Sequence, residues 1–178
     1  MTHQLIIAGF GGQGVLSMGM LLAYAGMLEG RNVTWLPAYG PEMRGGTANC
    51  NVIISDREIG SPLVLSASSV IAMNRPSLEK FEGAVEGGGL LFVNSSLIPC
   101  GVGRKDVQPV YVPANDIAAS LGNVKTANVV MLGAFLGKTG LVELESVVAS
   151  LPKVWGKGKE QTIAMNREAL ALGAREVE

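Results

Sequence analysis

Six residues near the start of the chain, Gly9-Phe10-Gly11-Gly12-Gln13-Gly14, set glycines at GxGxxG spacing between two apolar stretches. At a strand-to-helix turn this spacing lets the backbone bend sharply and approach a ligand. The helix start behind it offers unpaired N–H groups and a positive dipole end, which is phosphate chemistry. Gly9, Gly11, Gly12, Gln13 and Gly14 are therefore the candidate cofactor-binding residues. A second reading stays open beside it, in which the glycines only let the helix pack closely on the strand. A dinucleotide site of the NAD type also needs an acidic residue at the end of the second strand to hold the ribose hydroxyls. Val33-Thr34-Trp35-Leu36-Pro37 contains none.

The other segment with chemical potential runs from Pro37 to Gly46. Its prolines stiffen the backbone, its glycines loosen it, and Tyr39, Gly40, Pro41, Glu42, Arg44, Gly45 and Gly46 place one aromatic ring and both charges close together. That composition fits a subunit-facing or ligand-facing loop; a solvated crossover, with Glu42 and Arg44 as surface charges, fits it equally. No catalytic residue is assigned. His3 is the one imidazole, expected to be solvated near the terminus, so no Ser/His/Asp arrangement can be built. Cys50 and Cys100 form no CxxC pair and are expected to be inert thiols. An iron–sulfur cluster usually takes four thiolates and a zinc site four N or S ligands, so no metal site is assigned.

The elements that position these residues follow from periodicity. Strands are expected at Gln4–Ala8, Asn32–Leu36, Thr47–Ser55, Val70–Met73, Leu90–Asn94 (entered through Gly87–Gly89) and Val110–Val112. Helices are expected at Gly14–Leu28 (stopped by Gly30), Pro76–Val85, Asn115–Leu121, Thr126–Lys138, Glu143–Ser150 and Gln161–Gly173. The stretch Lys153–Lys159 reads as a mobile loop. Alternation of strands and helices predicts one α/β domain over residues 1–178, a Rossmann-like, mostly parallel sheet flanked by helices.

Composition narrows the function classes. With 14 basic and 15 acidic residues the chain has no basic stripe, which argues against nucleic acid as a partner. No apolar run is long enough for a membrane span, and Met1-Thr2-His3-Gln4 lacks the charged flank of a signal peptide, so the cytoplasm is expected. Charged residues make up 16% of the chain against 48% hydrophobic ones, a low share that suits a protein partly covered by other subunits. Trp35 and Trp155 are candidate contact anchors, with a core role equally open for Trp35.

Taken together, the GFGGQGV turn (Gly9–Val15), the PxYGPExRGG loop (Pro37–Gly46) and the Val52-Ile53-Ile54-Ser55 strand resemble the gamma component of pyruvate and 2-oxoglutarate ferredoxin oxidoreductases. Ala72-Met73-Asn74, Gly87-Gly88-Gly89, Phe92-Val93-Asn94, Pro113, Ala118, Asn128 and Leu132-Gly133-Ala134 extend the likeness over Leu5–Gly137. The resemblance implies a subunit of an enzyme that oxidises a 2-oxoacid with coenzyme A to acyl-CoA, carbon dioxide and reduced ferredoxin. It implies alpha and beta partners and a ferredoxin-like delta subunit, with thiamine diphosphate and the iron–sulfur clusters on those chains. This sequence has neither the GDG…NN pattern of a thiamine diphosphate site nor cysteine clusters. The gamma role is then assembly and a possible share of the coenzyme A site, and the isolated chain is expected to be inactive. Among substrates 2-oxoglutarate leads, with pyruvate and branched-chain 2-oxoacids open. The rival readings are a stand-alone Rossmann-type nucleotide-binding oxidoreductase and a regulatory module.

Overall fold

A computed structural model of the chain describes residues 1–39, 46–156 and 160–177. Its strands are β1 (Thr2–Phe10), β2 (Asn32–Tyr39), β3 (Thr47–Ser55), β4 (Ala67–Ala72), β5 (Val85–Asn94) and β6 (Gln108–Val112). Its helices are α1 (Val15–Leu28), α2 (Arg75–Phe81), α3 (Ala114–Ser120), α4 (Ala127–Thr139), α5 (Leu144–Trp155) and α6 (Glu160–Arg175). The strands form one sheet in the order β2-β3-β1-β4-β5-β6. β1 pairs in parallel with β4, β4 with β5 and β5 with β6, while β3 runs antiparallel to both β1 and β2. Five strands thus share one direction, as the α/β expectation requires.

The unbroken apolar runs of the central strands are explained by burial on both faces. Leu5 and Ile7 of β1, Val52 and Ile54 of β3, Ile71 of β4 and Phe92 of β5 face a core closed by α1 and α3 to α6. Ile6, Ile53, Val70, Leu91 and Val93 face a thinner core that Leu78 of α2 and residues of the 98–107 connection help to close. The first helix buries Val15, Met18, Leu22 and Ala25 at helical spacing. It ends at Gly30, whose φ of 73° lets Gly30 donate to the Met27 carbonyl at 3.0 Å and Arg31 to that of Gly26 at 3.0 Å. That pattern closes the last turn with a left-handed glycine. Helix α4 is buried from Ala127 to Leu136, and the rings of Phe92 and Phe135 meet edge to face at 5.5 Å.

Several boundaries differ from the sequence reading. Pro37, Ala38 and Tyr39 continue β2, paired with Cys50, Asn49 and Ala48, instead of opening the loop. A proline is tolerated there because β2 is the edge strand and one side of it carries no ladder. The helix expected over Pro76–Val85 stops at Phe81, turns tightly over Glu82–Ala84 and yields Val85 to β5. Gly87–Gly89 lie inside β5, where the register against β4 shifts between Ala67 and Ser69. A Cβ on Gly89 would stand 2.9 Å from the Ser68 carbonyl oxygen, so the bulge needs glycine. Helix α5 extends through Trp155, which removes Lys153–Trp155 from the expected mobile loop; residues 157–159 lie outside the described residues.

Candidate functional site

All parallel strands end on the same edge of the sheet, and the chain leaves β1 and β4 toward opposite sides. In open α/β sheets this point between β1 and β4 is where a crevice forms. The glycine turn sits on it. Gly9 is the last buried residue of β1, and a Cβ there would lie 2.7 Å from Val15 Cγ2 and 3.0 Å from Met73 Cβ, so its role is close packing of strand against helix. Gly14 caps α1 at φ 71°, and a Cβ would fall 2.7 Å from Cγ of Asn128, whose Nδ2 donates to the Gly14 carbonyl at 3.3 Å. Gly12 is exposed at φ 95° with nothing near its missing Cβ.

The amides of the turn divide in the same way. Gly11 N–H donates to the Gly46 carbonyl at 2.9 Å and Gln13 N–H to that of Phe10 at 3.1 Å. Among the described residues nothing accepts from Gly12, Gly14 or Val15 N–H. The Gly11 bond also joins the two sequence motifs: Gly46, buried at the far root of the Pro37–Gly46 segment, lies against the turn, as Thr47 pairs with Phe10. Gly40, Pro41, Glu42, Met43, Arg44 and Gly45 lie outside the described residues.

Side-chain amides lace the edge together. The Gln13 Oε1 accepts from Phe10 N–H at 2.7 Å and from Asn74 Nδ2 at 2.9 Å, while Asn74 Oδ1 caps α2 through Ser77 N–H at 2.9 Å. Gln13 Nε2 donates to the Met73 carbonyl at 3.3 Å, which also accepts from Asn94 Nδ2 at 3.2 Å. The same Asn94 Nδ2 reaches Asn115 Oδ1 at 2.8 Å. Sequence reasoning gave none of these asparagines a role. The available signal was an Asn at or within three residues past the apolar run of β4, β5 and β6 in turn.

Beside the turn lies a two-lobed cleft. An inner lobe of about 210 Å³ is lined by Gly12, Gln13, Met73, Asn115, Val124, Lys125, Ala127 and Asn128. An outer lobe of about 250 Å³ shares Gly12, Lys125 and Asn128 and adds Gly14, Ser17, Asn123, Thr126, Trp155, Thr162 and Asn166. Among the described residues neither lobe is lined by a carboxylate, and Lys125 is the one cation lining both. The lining thus offers amide donors and one ammonium, a setting for an anionic ligand rich in acceptor oxygens. Trp155 lies 40% exposed at the rim, which gives its ring a ligand-facing or partner-facing position.

The remaining candidates sit elsewhere. His3 is at the opposite end of β1, its Nε2 3.1 Å from Ser69 Oγ and its ring edge-on to Phe135 at 5.7 Å. It is half-buried, not solvated as expected, and that burial lowers its pKa although Glu86 pulls the other way. Cys50 is fully buried behind the turn on the α1 face, and burial pushes its thiol up to about 12. Cys100 belongs to the other face. The two thiols therefore do not fit one cluster, and among the described residues no three His, Cys, Asp or Glu side chains gather for a metal. Among those residues, too, no helix is long and apolar enough to cross a membrane. Among the described residues a dinucleotide geometry also lacks its ribose partner: β3 intervenes between β1 and β2, setting the end of β2 two strand spacings, about 9.5 Å, from β1. Asn32–Tyr39 holds no acidic residue.

Comparison with known proteins matches a sequence profile described as pyruvate ferredoxin/flavodoxin oxidoreductase to residues 4–176. The ketoisovalerate oxidoreductase subunit VorA of Methanothermobacter thermautotrophicus is 47% identical over 94% of this chain and 35% of its own length. The chain thus spans about a third of the VorA proteins it matches. The 2-oxoglutarate synthase subunit KorC of Methanothermobacter marburgensis is 32% identical over 95% of both chains. Among solved structures, the keto/oxoacid ferredoxin oxidoreductase gamma subunit of Geobacter sulfurreducens superimposes with a TM-score of 0.83 at 26% identity, covering 98% of each chain. The 2-oxoglutarate:ferredoxin oxidoreductase of Magnetococcus marinus, solved with 2-oxoglutarate, coenzyme A and succinyl-CoA bound, shares the fold with a TM-score of 0.89 at 22% identity over 99% of this chain and 31% of that one.

Proposed function

This chain belongs to the pyruvate ferredoxin/flavodoxin oxidoreductase family, and on that premise we propose that it is the gamma-type subunit of a cytoplasmic, multi-subunit 2-oxoacid:ferredoxin oxidoreductase. In that assembly alpha and beta subunits and a ferredoxin-like delta subunit hold the thiamine diphosphate and the iron–sulfur clusters, and ferredoxin takes the electrons. Bound on those subunits, thiamine diphosphate would supply the electron sink for decarboxylation of the 2-oxoacid. What this chain adds is binding and orientation. The observation behind that role is the cleft at the glycine turn, where the Gly12 amide and Lys125 face one space and no carboxylate lines it among the described residues. There, amides and ammonium would hold phosphate oxygens of coenzyme A, so that its thiol is delivered to the acyl group on a partner subunit.

For the acid, relatives named for ketoisovalerate and for 2-oxoglutarate both match, at 47% and 32% identity. We propose a branched-chain 2-oxoacid first and 2-oxoglutarate second. The segment Pro37–Gly46 is proposed to face a partner subunit, with Glu42 and Arg44 pairing across the boundary. Its support is position: both roots, Tyr39 and Gly46, lie on the edge that carries the glycine turn.

The test is an assay of 2-oxoacid-dependent dye reduction. The pure chain is expected to give no turnover, and the complex purified with its partners is expected to turn over in a CoA-dependent manner, fastest with ketoisovalerate. Turnover by the lone chain would refute the subunit role. In the same complex Arg44→Ala is expected to weaken assembly by about 2 to 5 kcal/mol if its ion pair is buried, against about 1 kcal/mol or less for a rim pair. Affinity and turnover both unchanged within about twofold would make the segment a solvated crossover.

A further inference from the structure

The amide lattice at the sheet edge has a direction. Gln13 Oε1 takes two donors, which turns Gln13 Nε2 toward the Met73 carbonyl. Asn94 adds its own Nδ2 to that carbonyl, at 3.2 Å, and sends the same Nδ2 to Asn115 Oδ1 at 2.8 Å. Asn94 is 0% exposed, and its Oδ1 is buried with no partner among the described residues. Leaving an amide oxygen buried and unpaired is costly, so the orientation is fixed by what the nitrogen does. Rotating the amide would set Oδ1 against two other acceptors, the Met73 carbonyl and Asn115 Oδ1. Asn115 lines the inner lobe of the cleft with its oxygen turned inward to Asn94. Its Nδ2 has no acceptor among the described residues and is the polar atom left for the cleft.

We infer that Asn115 donates from Nδ2 to an acceptor oxygen of the anionic ligand in the inner lobe, and that Asn94 is the positioning residue that sets this polarity. This rests on the reading of the cleft as a coenzyme A site. It adds a side-chain contact from α3 to a lobe that Gly12 and Gln13 also line. The lattice explains why the contact is a donor: an amide held by its oxygen cannot offer that oxygen to the ligand, so the wall attracts phosphate and rejects a cation.

The test uses the assembled enzyme and coenzyme A. Asn115→Asp keeps the oxygen that Asn94 holds and replaces the outward donor by a charged acceptor, while Asn115→Ala removes the contact. The KM for coenzyme A is expected to rise about fivefold in Asn115→Ala and by more than about tenfold in Asn115→Asp, with kcat within about twofold in both and the melting temperature unchanged in Asn115→Asp, which keeps the oxygen that Asn94 holds. A larger effect of Asp than of Ala is the signature of a nearby anion, which a purely structural Asn115 would not produce. Asn94→Asp, if it folds, is expected to raise the same KM without a matching fall in kcat. Equal KM values in Asn115→Asp and the parent enzyme would overturn the proposal. Lys125→Ala separates the two readings. If it raises the KM while Asn115→Asp does not, the Asn94–Asn115 assignment fails alone. If neither moves it, the coenzyme A reading of the cleft fails as well.

Discussion

Glycine serves opposite ends in two regions of this molecule. At the sheet edge, Gly12 and Gly14 adopt φ of 95° and 71°, so backbone conformation is what demands glycine there. Where α4 crosses α6, the glycines are ordinary helical residues and space is what demands them. A Cβ on Gly133 would stand 2.8 Å from the carbonyl carbon of Leu170, one on Gly137 2.7 Å from the Ala174 oxygen, and one on Gly173 2.9 Å from the Ala134 nitrogen. The two helices touch backbone to backbone. Such an approach is specified by small residues four apart, here Gly133–Gly137 against Ala169–Gly173. The difference teaches that one cluster leaves backbone amides open and the other removes open space altogether. Substitution should therefore cost function at the first and stability at the second.

Gly173→Ala is the severest test of that division. The added methyl meets backbone that cannot rotate away, and the expected loss is about 3 kcal/mol or more, with a fall in Tm on the order of 10 °C. A Tm within about 2 °C of the parent would mean the crossing is looser than described, and the contrast would collapse.

Gly14→Ala should be intermediate and mixed. Strain at positive φ costs about 1 kcal/mol, and Asn128 must also give up its bond to the Gly14 carbonyl. A loss of about 2 kcal/mol, together with a raised KM for coenzyme A in the complex, is the expected pair. A change in one without the other would assign Gly14 wholly to one class. Gly12→Ala meets no neighbour, so only about 1 kcal/mol of backbone strain is expected, with the main effect on coenzyme A.

The smallest effect concerns Cys50, whose Sγ lies 3.7 Å from the Val15 carbonyl just behind the turn. Burial raises its thiol from an ordinary value of 9.0 to about 12, so the folded chain holds it neutral. A raised folded pKa contributes stability that is complete below pH 9.0 and is lost as pH climbs toward about 12. Cys50→Ala should remove part of the alkaline decline in that window and leave neutral-pH unfolding little changed in shape. With a thiol reagent at pH 8, Cys100 should react first and Cys50 only on unfolding; equal rates would show that the region behind the turn opens freely.

How much of this was legible depends on the range of the interaction concerned. The GxGxxG turn, its strand and helix, and the Gly30 stop could be read because each follows from φ, ψ and periodicity within a few residues. Thr47–Ser55 was legible for the same reason. Pro37–Tyr39 was misread because local chemistry there says loop, while pairing with β3 makes it strand, and that pairing is a long-range fact. Gly87–Gly89 read locally as a lead-in to the strand, whereas a bulge is defined by the neighbouring strand β4. Around the cleft, the glycine turn was legible but the residues that line it with the turn were not: Asn115, Lys125 and Asn128 come from segments far away in sequence, and no local spacing marks them as neighbours.

By itself, then, the sequence determined the α/β class, the glycine turn between β1 and α1, the absence of an acid in Asn32–Tyr39 and, through its motifs, the family. Each of these is a matter of residue type at short spacing. Tertiary structure alone decided that β3 separates β1 from β2, that the two cysteines lie on opposite faces, that α4 and α6 touch through glycine, and that three strand ends set their asparagines into one directed lattice. Those depend on which segments a folded chain brings within a few ångströms of one another, and sheet order and helix crossing set that distance.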